Sequence, residues 1–137
     1  MYRVRHQSPP LAWSLKLQES AQIWAETLAR EGRLEHGGHE GVGQNLAFCA
    51  GKLTGVQACK LWYDELRAPG YTFEQPGFTH GTGHFTQVVW RTSKLLGIGI
   101  AQGVEGTYVV AHYEPAGNGM GQFQMNVLPP DRDLTEI

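Results

Sequence analysis

Only two cysteines, Cys49 and Cys59, occur in 137 residues, too few for the disulfide framework that holds small secreted domains together. No apolar stretch approaches the ~20 residues of a membrane-spanning helix. Basic residues do not predominate: the formal charge is −2 and the pI about 6.3, which excludes the clustered positive face that binds nucleic acid. Arg3, Arg5, Arg30 and Arg33 are interleaved with Glu19, Glu26, Glu31 and Glu35. That pattern reads as a solvated surface rather than an anionic-lipid patch. The stretch Met1-Tyr2-Arg3-Val4-Arg5 lacks the apolar centre of a signal peptide. Tyrosine also stands at position 2, where a myristoyl anchor needs glycine. These absences predict a soluble, intracellular chain.

What is present suits one domain. A hydrophobic fraction of 41% supplies one core, and residues 1–128 read as that domain, with a polar tail at 129–137. Ser14 can cap a helix to about Arg30, with Leu17, Ala21, Trp24 and Leu28 on one face and Gly32 at the stop. The next stretch, Leu34 to Gly51, reads as a loop that visits the core through Leu46 and Phe48. Thr54 and Gln57 form a capping box for a helix to about Leu66, striped by Val56, Cys59, Tyr63 and Leu66. Glu65 sits beside that stripe, where a carboxylate can reach inward. Further on, Leu96, Ile98 and Ile100 alternate with Gly97, Gly99 and Ala101. That period of two predicts a strand on which a helix packs closely. A turn at Gly103–Gly106, a returning strand Thr107–Tyr113 and a last short strand near Phe123–Val127 follow. A Cys49–Cys59 bridge can be drawn, yet Cys59 lies in a helical pattern where buried free thiols are common, so free thiols are expected.

The most informative segment is Gly83-His84-Phe85-Thr86-Gln87-Val88-Val89-Trp90, reached through a glycine-rich approach from Gly77. Glycines before a short helical turn let the backbone bend and bring His84 to the floor of a cleft. This octapeptide resembles the signature of the CAP superfamily (cysteine-rich secretory proteins, antigen 5, pathogenesis-related 1). Three further stretches match in order: Tyr2-Arg3 with His6 and Pro9-Pro10-Leu11, then Gly43-Gln44-Asn45-Leu46, then Val109 through Asn118. Gln75-Pro76-Gly77-Phe78 and Asn126-Val127-Leu128-Pro129-Pro130 are similar to the intracellular, Golgi-associated branch. The resemblance implies an α+β fold, a three-layer α/β/α sandwich around a small central antiparallel sheet. It also implies a first helix that starts before Tyr2, so that the natural N-terminus is longer; an extracellular location is then the alternative to a cytoplasmic or Golgi-peripheral one.

The family's cleft of two histidines and two acidic groups, laid on this sequence, gives His36, Gln44, Glu65 and His84. His39 lies three residues after His36, but Leu34-Glu35-His36 matches the family's apolar-x-histidine pattern. Two neutral imidazoles, His36 and His84, can take zinc or another divalent cation. Gln44 stands where a glutamate would give a second carboxylate, and an amide takes no proton at neutral pH. That weakens a hydrolase built on His36, Glu65 and His84 more than it weakens metal binding. No G-x-S-x-G element is present. His6, His39, His80 and His112 read as structural or surface residues, and Trp13, Trp24, Trp62 and Trp90 as core or cleft wall. The expected function is therefore non-enzymatic: a scaffold for lipid, sterol or a protein partner, with an optional metal site. A self-associating module at the membrane periphery, with a homodimer as its assembly, is a further alternative; nucleic acid is not an expected partner.

Overall fold

The computed structural model describes residues 2–130; the expected tail beyond residue 130 lies outside them. In chain order the elements are α1 (Tyr2–Arg5), β1 (Ala12–Trp13), α2 (Leu15–Glu31), β2 (Gly43–Cys49), α3 (Gly55–Tyr63), a 3-10 turn (Asp64–Leu66), α4 (Gly83–Val89), β3 (Leu95–Gln102), β4 (Thr107–Glu114) and α5 (Phe123–Asn126). The sheet order is β1-β3-β4-β2. β4 pairs antiparallel with both β2 and β3, and the two residues of β1 lie parallel to Leu95–Leu96. Apart from the two-residue parallel β1, the sheet is the small antiparallel one that the resemblance implies.

α2 covers one face and the α3–α4 layer the other, giving two cores and an α+β sandwich. Alternation along β4 divides its side chains between them. Tyr108 and Val110 pack with Ala21, Ala25, Leu28 and Leu46 under α2, whereas Val109, Ala111 and Tyr113 join Trp62, Tyr63, Phe85 and Trp90 on the far side. β4 is buried along nearly its whole length, which fits its central place.

The caps that fix the helices are those the sequence predicts. Ser14 Oγ accepts from Leu17 N–H, and Gly32 ends α2 in the left-handed region at φ 69°. Thr54 and Gln57 close a reciprocal box at α3. On β3, a Cβ at Gly97 would overlap the backbone of Leu17 and Gln18, and one at Gly99 the backbone of Ala21 and Gln22. The small residues thus seat α2 directly on the strand. Past β1, the outer edge of β3 is met by the side-chain amide of Gln22, which donates to Ile100 O and accepts from Ile100 N–H, both at 2.9 Å. That amide stands in for a neighbouring strand.

Several expectations are corrected. The stretch read as an irregular loop contains β2, whose Gly43-to-Cys49 ladder pairs with β4; Phe48 lies on its rim, 38% exposed. The segment near Phe123 is helical rather than a strand. Ala25, not Trp24, completes the buried stripe of α2. In α3, Ala58, Trp62 and Tyr63 face the core while Val56 is exposed. Arg3, expected on a solvated surface, is buried. Cys49 and Cys59 are free thiols, both half-buried.

Candidate functional site

The four expected cleft residues form two hydrogen-bonded pairs, joined through β2. Gln44 and Asn45 are adjacent on that strand, so their side chains leave from opposite faces. Gln44 faces the α2 layer. Its Oε1 accepts from His36 Nδ1 at 2.8 Å and from Gly37 N–H at 3.0 Å. Asn45 faces the other layer, where its Nδ2 donates to His84 O at 3.1 Å.

Glu65 anchors the second pair. α3 runs into the 3-10 turn, and this brings the Glu65 carboxylate to the start of α4. Thr82, the residue preceding α4, gives that helix no side-chain cap. Glu65 takes the role across space: Oε1 accepts Phe85 N–H at 2.9 Å and Oε2 accepts His84 Nδ1–H at 2.8 Å. A carboxylate suits a helix N-terminus, where unpaired N–H groups and the peptide dipoles favour negative charge. The second bond fixes the His84 ring and leaves Nε2 unprotonated in the neutral imidazole. Trp62 stacks on that ring, centroids 6.1 Å apart. His84 is half-buried and Glu65 more deeply so, while His36 is exposed.

His112 was read from the sequence as structural or surface, and the structure places it against the first pair. It is fully buried, with Nε2 2.9 Å from Gln44 Nε2 and Nδ1 2.8 Å from Ser20 Oγ. The His39 ring lies 4.6 Å away, centroid to centroid. Burial and, less strongly, His39 hold the His112 imidazolium down to a pKa of about 4. The signal that could have found His112 is the period of two in β4, which sends it to the same face as Tyr108 and Val110. His80 is exposed. His6 is buried, its Nε2 2.8 Å from Tyr63 Oη.

Among the described residues, no group of three or more His, Cys, Asp or Glu side chains is placed to hold a metal ion. His36 and His84 each spend Nδ1 on Gln44 or Glu65, which leaves each one ring nitrogen, and a lasting zinc site takes at least three protein ligands. Nor does any hydroxyl or thiol among the described residues hydrogen-bond His84 Nε2 as an activated nucleophile would.

An α+β sandwich with an oriented Glu–His pair and a His–Gln pair on its rim defines a class, and comparison with known proteins supplies its name. Residues 1–113 match the model of the cysteine-rich secretory protein (CAP) family, and the chain belongs to that family. It is 43% identical over 137 residues to the Golgi-associated plant pathogenesis-related protein 1 of Homo sapiens, covering 96% of this chain and 88% of that one. Protein PRY2 of Saccharomyces cerevisiae is 39% identical over 121 residues, but the match spans 87% of this chain and only 35% of PRY2. Among solved structures, BmVAL-1 superposes with a TM-score of 0.67 at 27% identity, covering 90% of this chain and 65% of that one. NaASP2, solved with Zn2+, gives 0.71 at 24% identity over 94% of this chain and 70% of its own, a likeness of fold alone.

Proposed function

We propose that the chain is a non-enzymatic binding scaffold whose occupant is a lipid chain or sterol. One observation carries this reading: a groove of about 620 Å3 between the start of α3, the outer edge of β3 and α1. Tyr2, Trp13, Val56, Cys59, Ile98 and Ile100 line it, and its walls are chiefly carbon. Trp13 and Ile100 remain 53% and 38% exposed, so apolar surface is left uncovered. The volume falls in the ~300–1,000 Å3 range of small-molecule sites, and each methylene buried there contributes about 0.8 kcal/mol.

Cys59 provides a reporter. In a Cys49→Ser background, a fluorescent sterol or fatty acid should bind and slow alkylation of Cys59, and Ile100→Lys should abolish both effects. Equal alkylation with and without ligand would sink the reading, and protection by a protein partner alone would replace lipid with that partner. Contact with membranes is peripheral in this scheme. We place the protein inside the cell, at the Golgi periphery, following the name of the human relative; the name of another relative, secreted protein RBT4 of Candida albicans, marks the alternative.

Zinc, or another divalent cation, is a secondary ligand: His36 and His84 would each offer a neutral imidazole nitrogen, with water completing the shell. Calorimetric titration with zinc should give weak binding that His84→Ala removes; identical isotherms would dispose of it. A hydrolase is the second reading, favoured by the oriented Glu65–His84 pair and opposed by Gln44. Ester turnover lost in Glu65→Gln would promote it.

A further inference from the structure

We propose that His112 is a positioning residue, holding the surface imidazole of His36 in one tautomer through the amide of Gln44. Hydrogen-bond accounting carries the assignment. Gly37 N–H donates to Gln44 Oε1 at 3.0 Å, which fixes the oxygen end of that amide. The same oxygen lies 2.8 Å from His36 Nδ1, so Nδ1 carries the proton. Gln44 Nε2 is then a donor, and His112 Nε2 at 2.9 Å must accept. Neutral His112 accordingly bears its proton on Nδ1 and gives it to Ser20 Oγ at 2.8 Å. Ser20 passes its own hydrogen to Leu17 O at 3.1 Å. Each link has one donor and one acceptor. Reversing the amide would set donor against donor at Gly37.

The chain runs from the surface loop, across β2 and β4, into α2. Its inner end is enclosed: His112 is fully buried, and the His39 ring lies against it. Its outer end is the exposed His36, whose Nε2 is left with a free lone pair. Histidine free in water favours the opposite, Nε2–H form, so the network inverts the ordinary preference. Glu65 imposes the same tautomer on His84 by a different route. Both rim imidazoles therefore present acceptors, suited to a hydrogen-bond donor or an electron-pair acceptor. This inference goes beyond the lipid reading and stands or falls independently of it.

Gln44 and His112 are matched. A carboxylate at position 44 only accepts, so Gln44→Glu should drive His112 to the Nε2–H form, with Ser20 donating to Nδ1. The test is imidazole 15N–1H correlation spectroscopy on the full chain at about pH 8, above the usual histidine range. In the native chain, the His36 tautomer ratio should move toward Nδ1–H by about tenfold relative to free histidine, the worth of one good hydrogen bond, which makes Nδ1–H the major form. Gln44→Glu should keep His36 in that form and invert His112. His112→Phe leaves the Gln44 amide held by Gly37 alone and should move His36 part of the way back toward the ratio of free histidine; an unchanged ratio in the folded variant would overturn the proposal, and should that variant fail to fold, the Gln44→Glu spectrum decides. A native His36 in the Nε2–H form, or an unchanged His112 tautomer in Gln44→Glu, would overturn the proposal.

Discussion

At the scale of single residues, Arg3 does the most to tie the chain's start to its middle. The residue is 6% exposed, and its guanidinium donates to backbone oxygens: Nε to Pro9 O at 2.7 Å, Nη1 to Val88 O and Trp90 O at 3.1 and 2.8 Å, Nη2 to Ser93 O at 3.0 Å. Several of these carbonyls lie at the C-terminal end of α4, where peptide dipoles favour a cation. Burial lowers its pKa to about 10, still protonated at neutral pH. Arg3→Met would leave those carbonyls without donors in a dry site and should cost about 2–4 kcal/mol, read as a fall in the urea midpoint. Arg3→Lys should recover only part of it, because an ammonium cannot span the fork of acceptors. An unchanged midpoint in Arg3→Met would show that water replaces the guanidinium. None of this was legible in the sequence. The partners of Arg3 are backbone carbonyls, many more than eighty positions away, and they leave no side-chain signature.

At the scale of elements, the contact between α2 and β3 depends on what is missing from two side chains. Gly97→Ala and Gly99→Ala would each drive a methyl into α2 backbone, which cannot yield as a flexible side chain would. Each should destabilise by at least about 2 kcal/mol, seen as a drop in thermal midpoint. Gly38→Ala is the control, since nothing lies within 4 Å of a Cβ there; a similar drop in all three would refute the packing account. The alternation of glycine with Leu96, Ile98 and Ile100 made this contact readable, as did the local caps of α2 and α3. Strand β2 was not readable. It begins with Gly43-Gln44-Asn45, of which Gly43 and Asn45 are typical of turns, and its strand character comes from pairing with β4, more than fifty residues on. The helix at Phe123 was misread for a related reason: four residues are too few to display a period.

At the scale of the whole molecule, the resemblance carried by short motifs singles out His36, Gln44, Glu65 and His84 as candidates, but motifs name positions rather than faces. Which side of β2 each residue takes follows from pairing register, and so does the buried partner His112. That partner makes stability depend on pH. Unfolded histidine titrates near 6.5, whereas folded His112 is held down to about 4. Between those values the unfolded chain binds the extra proton, so folding is favoured by the full amount above pH ~6.5 and loses it as the pH falls toward ~4. The loss from this group is on the order of 3 kcal/mol. The groups facing its ring are Ser20 from α2, Gln44 from β2 and His39 from the loop before β2; neither Ser20 nor Gln44 titrates in this range. Urea midpoints measured from pH 8 down to pH 4 should therefore decline through this window, and His112→Asn should flatten the decline while lowering the plateau. An equally steep decline in His112→Asn would assign the acid sensitivity to other groups and remove His112 as its cause.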